Sequence, residues 1–89
     1  MKITNMVSNR SNREVANQFD IMDDNDNNFF QSYNTIIAKI TKSGKVYLDK
    51  NAWNYSATTS KYRNQFLGET TKETEAKIKS GEYELINLN

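Results

Sequence analysis

Between Glu14 and Met22 the chain alternates, with Val15, Asn17, Phe19 and Ile21 on one side and Ala16, Gln18, Asp20 and Met22 on the other. A two-residue period over nine positions predicts a half-buried strand. Upstream, Met1, Ile3, Met6 and Val7 are scattered among Ser, Asn and Arg without a period, which predicts an irregular arm over residues 1–13 with at most a short edge strand at Lys2–Asn5. Asp23 to Asn28 is a run of short polar side chains that bond their own backbone and turn the chain. Phe29 to Ile40, rich in aromatic and β-branched residues, predicts one long central strand with apolar residues on both faces. Thr41-Lys42-Ser43-Gly44 then turns into Lys45–Asp49, where Val46 and Leu48 face in.

The period changes after Ala52. Ser56 or Thr58 is a good N-cap, Tyr62 and Phe66 stand four residues apart on one helical face, and Gly68 is a natural stop. Thr70 with Glu73 forms a capping box that opens a second helix, whose thin apolar stripe is Ala76 and Ile78 with help from Thr74. Tyr83 to Leu88 alternates again as a last strand. The expected fold class is α+β: a small, mainly antiparallel sheet with two short helices on one face, in the order β-β-β-α-α-β. Residues 14–89 form its single domain, preceded by the arm.

Composition narrows the function more than the fold. With 89 residues, 36% of them hydrophobic and a mean hydropathy of −0.87, one copy can build only a modest core, so a homo-oligomer is expected. There is no Cys and no His, which removes disulfides, thiolate metal sites and the usual general base. The acidic loop copies the opening of a calcium loop at Asp24, Asp26 and Asn28, but Phe29 stands where that loop needs Gly and Thr35 where it needs a bidentate Glu. A carboxylate pair of Asp20 with Asp23 or Asp26 has no general acid placed opposite it. The expectation is therefore no enzyme, no cofactor and no metal. A net charge of +1 gives no field strong enough to argue for duplex-DNA binding or for an acidic DNA mimic, although Lys39, Lys42, Lys45, Lys50, Lys61 and Arg63 face only Asp49 along the centre of the chain. No apolar run reaches membrane-spanning length, and the first ten residues lack the apolar core of a signal peptide, so a cytosolic setting is expected.

The richest stretch chemically is Trp53 to Gly68. Its candidate ligand-binding residues are Trp53, Tyr55, Thr58, Thr59, Ser60, Lys61 and Arg63. Three consecutive hydroxyl residues exceed what one helix cap requires, and with the first-turn N–H groups and two cations they could hold a phosphate while Tyr55 or Trp53 stacks on a base. Burial explains the same residues differently, as core aromatics, a cap and solvated cations. Gln31, Tyr33 and Asn34, polar on both sides of the central strand, are secondary candidates.

Phe30-Gln31-Ser32-Tyr33, Ile37-Ala38, Trp53-x-Tyr55-Ser56-x-Thr58-Thr59-x-Lys61-Tyr62-Arg63 and Phe66-Leu67-Gly68 carry a resemblance to a family of short proteins of unknown function encoded by phages and mobile elements of Gram-positive bacteria. It spans roughly residues 15–88. The resemblance implies a viral accessory protein in the host cytoplasm, of the size phages use against host defences, and no catalytic residues. The leading expectation is a protein that binds and sequesters a nucleotide-type immune signal through residues 53–63. The alternatives are an inhibitor that docks on a host defence enzyme, in the manner of an anti-CRISPR protein, and a single-strand nucleic-acid accessory protein. A sequestering protein predicts a concave site, and an inhibitor predicts a flat apolar patch.

Overall fold

The computed structural model describes residues 1–89. It is α+β, with six strands in one sheet and two helices: β1 (Lys2–Val7), β2 (Glu14–Met22), β3 (Asn28–Ser32), β4 (Thr35–Ile40), β5 (Val46–Asp49), α1 (Ala57–Leu67), α2 (Thr71–Ser80) and β6 (Glu84–Ile86). Strand order across the sheet equals chain order; every pair is antiparallel except β5 with β6. A parallel pair needs a long crossover, and α1 with α2 is that crossover.

Two elements differ from their sequence reading. The stretch predicted as one strand over Phe29–Ile40 is a hairpin, with Tyr33 and Asn34 at its tip and Tyr33 at φ 55°. The segment predicted as an irregular arm carries a six-residue strand, longer than the short edge strand over Lys2–Asn5, and it buries Met6 in the core. Both changes add strands, so the observed order is β-β-β-β-β-α-α-β. The calcium-like loop is a turn held by Asp23, whose carboxylate accepts from the Asn25 and Asn27 backbone N–H groups at 2.9 Å and from the Asn27 side chain at 3.1 Å. Those Asn27 bonds hold the Asp23 carboxyl below its usual value.

Two bulges decide which face each side chain takes. Asn17 lies at φ 65° and breaks the alternation of β2, so Val15 and Gln18 both turn inward while Phe19 and Ile21 turn outward. A second irregularity between Phe30 and Gln31 leaves Ile37 as an extra residue in β4, fully buried beside Ala38. Register then defines two rows across the sheet. The inner row runs Thr4, Asp20, Phe30, Ala38, Leu48 and Leu85, and the outer row runs Ile3, Ile21, Phe29, Lys39, Tyr47 and Glu84. Phe66 of α1 stacks on Phe30 with ring centroids 5.9 Å apart, so the helices lie on the inner-row side and cover its middle, Phe30, Ala38 and Leu48. Tyr62, Tyr83 and Ala52 close the core, with Leu67 and Ile78 packed against it. In α2 the narrow stripe is Thr74 and Ile78; Ala76, predicted to belong to it with Ile78, is exposed.

Candidate functional site

Residues 53–63 form the loop after β5 and the first two turns of α1. Ser56 is the N-cap: its hydroxyl accepts from the Thr59 N–H at 3.1 Å. The hydroxyl surplus in this stretch is mostly spent inside the protein. Thr59 is fully buried, and its Oγ1 bonds Ser32 Oγ at 3.1 Å and accepts from Ser56 Oγ at 3.0 Å, which ties α1 to β3. Ser60 Oγ donates to Asn54 Oδ1 at 2.6 Å and closes the loop.

Arg63 is also fully buried. Its Nη1 donates to the Trp53 carbonyl and to Asn54 Oδ1, and its Nη2 donates to Asn64 Oδ1 at 2.8 Å and Thr71 Oγ1 at 3.0 Å. The guanidinium stands 5.1 Å from the centre of the Trp53 ring, a cation–π contact in a dry setting. One side chain thus joins the loop, α1 and the start of α2. Burial lowers its pKa, and the charges of Glu69 and Glu75 pull the other way. Its Nε has no partner.

Of the predicted residues, then, Thr59 and Arg63 are interior, Trp53 and Ser60 are half-buried, and Tyr55, Thr58 and Lys61 reach solvent. They do not line one cavity. Lys61 borders a polar groove of about 550 Å³ together with Asn9, Asn64, Gln65, Glu69 and Thr70, while Trp53 borders a separate hollow of about 190 Å³ with Asn54, Glu75, Ile78 and Lys79. The secondary candidates are elsewhere. Tyr33 and Asn34 are exposed at the hairpin tip, and Gln31 Nε2 donates to the Tyr33 carbonyl at 2.6 Å.

A second polar cluster, unforeseen from the sequence, lies between α1 and α2. Glu69 accepts from Lys77 Nζ at 2.7 Å, Tyr83 OH at 2.7 Å and Thr74 Oγ1 at 2.5 Å, and its side chain is 4% exposed. Burial pushes the Tyr83 phenol up, and with the Glu69 hydrogen bond and charge it reaches about 12; the Glu69 bond raises Lys77 as well. Both groups are moved away from neutrality, which suits a charge-holding joint better than proton transfer.

The surface that stands out is the outer row of the sheet. Ile3, Ile21, Phe29 and Tyr47, with Phe19 and Ile36 in the adjoining row, lie on the side without helices, and each is half-buried or exposed. Lys39 Nζ sits 5.5 Å from the Phe29 ring centre and Lys45 Nζ 5.1 Å from that of Tyr47. The sequence did carry a signal for this face, since the strand stretches had apolar residues on both sides. The Asn17 bulge hid which residues belonged to it.

The sheet, closed by helices on one face and left open and largely apolar on the other, makes this a small α+β protein. The family model of a family of unknown function, DUF8033, matches residues 1–83, and the chain belongs to that family. No curated protein and no solved structure matches it.

Proposed function

We propose that this chain is a non-catalytic accessory protein that acts by laying the helix-free face of its sheet on another protein. The observation that carries the reading is the outer row Ile3, Ile21, Phe29, Lys39 and Tyr47, which neither helix covers. A contiguous apolar face with aromatic anchors is the usual ground for a protein contact. The molecule measures 35 × 29 × 20 Å, so such a face can supply the roughly 800 Å² per partner of a standard interface. Lys39 and Lys45 outweigh Glu84, which ends the row beside Tyr47, and give the patch net positive charge, which fits a flat apolar partner surface bordered by carboxylates. The resemblance to short phage-encoded proteins supports a counter-defence setting in the host cytoplasm, with a host defence enzyme as the partner.

The nucleotide-sequestering reading has less behind it. Arg63 would have to leave Trp53, Asn54, Asn64 and Thr71 to meet a phosphate, and the groove beside Lys61 has no aromatic wall. Single-strand binding on the sheet meets a different obstacle, since Lys39 and Lys45 already stand over the rings on which bases would stack.

The test compares three immobilised proteins in bacterial lysate: the natural chain, Phe29→Glu with Tyr47→Glu, and Thr58→Ala with Lys61→Ala. The natural chain and the helix-tip variant should retain the same host protein, and the face variant should lose it while melting at a similar temperature. Equal retention by the face variant would sink the proposal. A nucleotide released by heating the natural chain, and missing from the helix-tip variant, would favour sequestration instead.

A further inference from the structure

On the helix side of the sheet, past the end of α1, two adjoining hollows of about 320 and 210 Å³ share Thr4, Asp20 and Asn28. The cover that Phe66 gives to Phe30 stops here, so Asp20, next to Phe30 in the inner row, is only half-buried. A carboxylate at an inner position calls for a partner cation. It has none: the ion pairs of the chain are Met1 with Asp24, Lys42 with Asp26 and Lys77 with Glu69. Lys2 borders the smaller hollow and is exposed, but makes no pair with Asp20.

The hydrogen bonds around the hollows are one-sided. Thr4 Oγ1 donates to the Asp20 carbonyl, and Asn28 Nδ2 donates both to Asp20 Oδ1 and to the Ile21 carbonyl at 3.0 Å. Gln65 Nε2 donates to the Val7 carbonyl at 2.7 Å, and Asn5 Nδ2 to the Val15 carbonyl at 3.0 Å. Each amide nitrogen faces a carbonyl or carboxylate oxygen, which fixes the orientation of the amide and sends its own oxygen the other way. Thr4 and Asn28 have thus spent their side-chain donors, Gln65 and Asn5 keep one N–H each, and four acceptors are left without a partner: Asp20 Oδ2, Asn28 Oδ1, Gln65 Oε1 and Asn5 Oδ1. Met6 and Phe66 supply an apolar wall beside them.

The geometry points to a binding site for an ammonium or guanidinium group carried on a short aliphatic stem. Such a head has donors and no acceptor, carries the charge that Asp20 lacks opposite it, and has a stem that the Met6 and Phe66 wall can cover. One carboxylate with neutral oxygens suits this ligand better than a divalent ion, which draws more charged ligands. The site lies on the opposite side of the sheet from the proposed docking face, so the two stand or fall separately. The head can belong to a free polyamine-type molecule or to a Lys or Arg side chain of a polypeptide.

Titration followed by NMR of the side-chain amides tests both sources, with agmatine as the free form and a capped Gly-Arg-Gly peptide as the polypeptide form. At least one should shift the Asn5, Asn28 and Gln65 amide signals saturably, and tighter binding by one of the two identifies the source. Butanol, an uncharged stem, should not shift them. Asp20→Asn keeps an acceptor for Asn28 and should weaken binding at least about tenfold, the loss expected for a charged hydrogen bond. No saturable shift with either probe would overturn the assignment, as would equal shifts with butanol or undiminished binding by a folded Asp20→Asn protein. If that variant does not fold, the comparison of agmatine with butanol on the natural chain decides.

Discussion

Arg63 shows how far one side chain can be misplaced by residue type alone. An arginine beside a hydroxyl cluster at a helix start suggests a phosphate contact, but here the guanidinium is an internal tie between a loop and two helices. Its partners are neutral, so it is kept charged by hydrogen bonds and by more distant carboxylates rather than by a direct ion pair. Removing it leaves a gap where a fully buried side chain stood and takes a donor from several part-buried acceptors at once. Arg63→Ala is expected to cost about 3 kcal/mol, from lost packing of the stem and lost hydrogen bonds to a charged group. Lys61→Ala, on the exposed side of the same helix, should stay within about 0.5 kcal/mol. Urea unfolding of the two variants checks the pair; a mild effect for Arg63→Ala would mean that the guanidinium is free to leave, and would reopen the phosphate reading.

Among the elements, the ends of α1 and α2 were legible because caps are local chemistry. Ser56, the Thr70 and Glu73 capping box, and the left-handed Gly68 and Gly81 act where their residue types say they should. The Tyr33 and Asn34 turn was not legible, since tight hairpins favour Gly at positive φ and nothing in that stretch is Gly. Likewise the Asn17 bulge flips a face through one residue's φ, and only the pairing of Tyr33 N–H with the Asn17 carbonyl at 2.7 Å shows what holds it. The exposed 53–63 contacts and the interior ones look alike in sequence for the same reason: burial is a property of the assembled sheet.

The joint between α1 and α2 also sets an acid sensitivity. Burial alone pushes the Glu69 carboxyl up, but hydrogen bonds from Lys77, Thr74 and Tyr83 and the Lys77 charge outweigh it and hold the group below its ordinary 4.5. A carboxyl depressed in the folded state contributes stability that is complete above the unfolded value and is lost as pH falls through the folded one. Stability should therefore drop below about pH 4.5. Glu69→Gln should lower stability at neutral pH by about 2 kcal/mol, because Lys77 loses its anion while remaining partly solvated. It should also flatten part of the acid slope, with Asp49 responsible for some of the rest: burial pushes that carboxyl up, yet bonds from Leu88, Asn89, Asn51 and Ala52 bring it below its usual value. Denaturant midpoints from pH 7 down to pH 3 test this; parallel curves for the variant and the natural chain would remove Glu69 from the account.

For the whole molecule, the question is what the open sheet face does when no partner is present. The core holds nine buried hydrophobic side chains, a small number for 89 residues, yet the radius of gyration of 12.3 Å is close to the roughly 12 Å expected of a compact chain this long. A single copy is thus compact by itself, and association between copies, as we expect it, would add to it from the outside through Ile3, Ile21, Phe29 and Tyr47. We expect the mass measured by light scattering to rise above 10.3 kDa with concentration, and the effect to strengthen in sulfate, which favours apolar burial, rather than weaken as charge pairing would. Phe29→Glu should hold the protein at the monomer mass under the same conditions. Thr58→Ala, at the tip of α1, should leave association as it is. A constant 10.3 kDa for the natural chain at all concentrations would show that the face is tolerated in water by itself, and that copies of the chain do not compete with a partner for it.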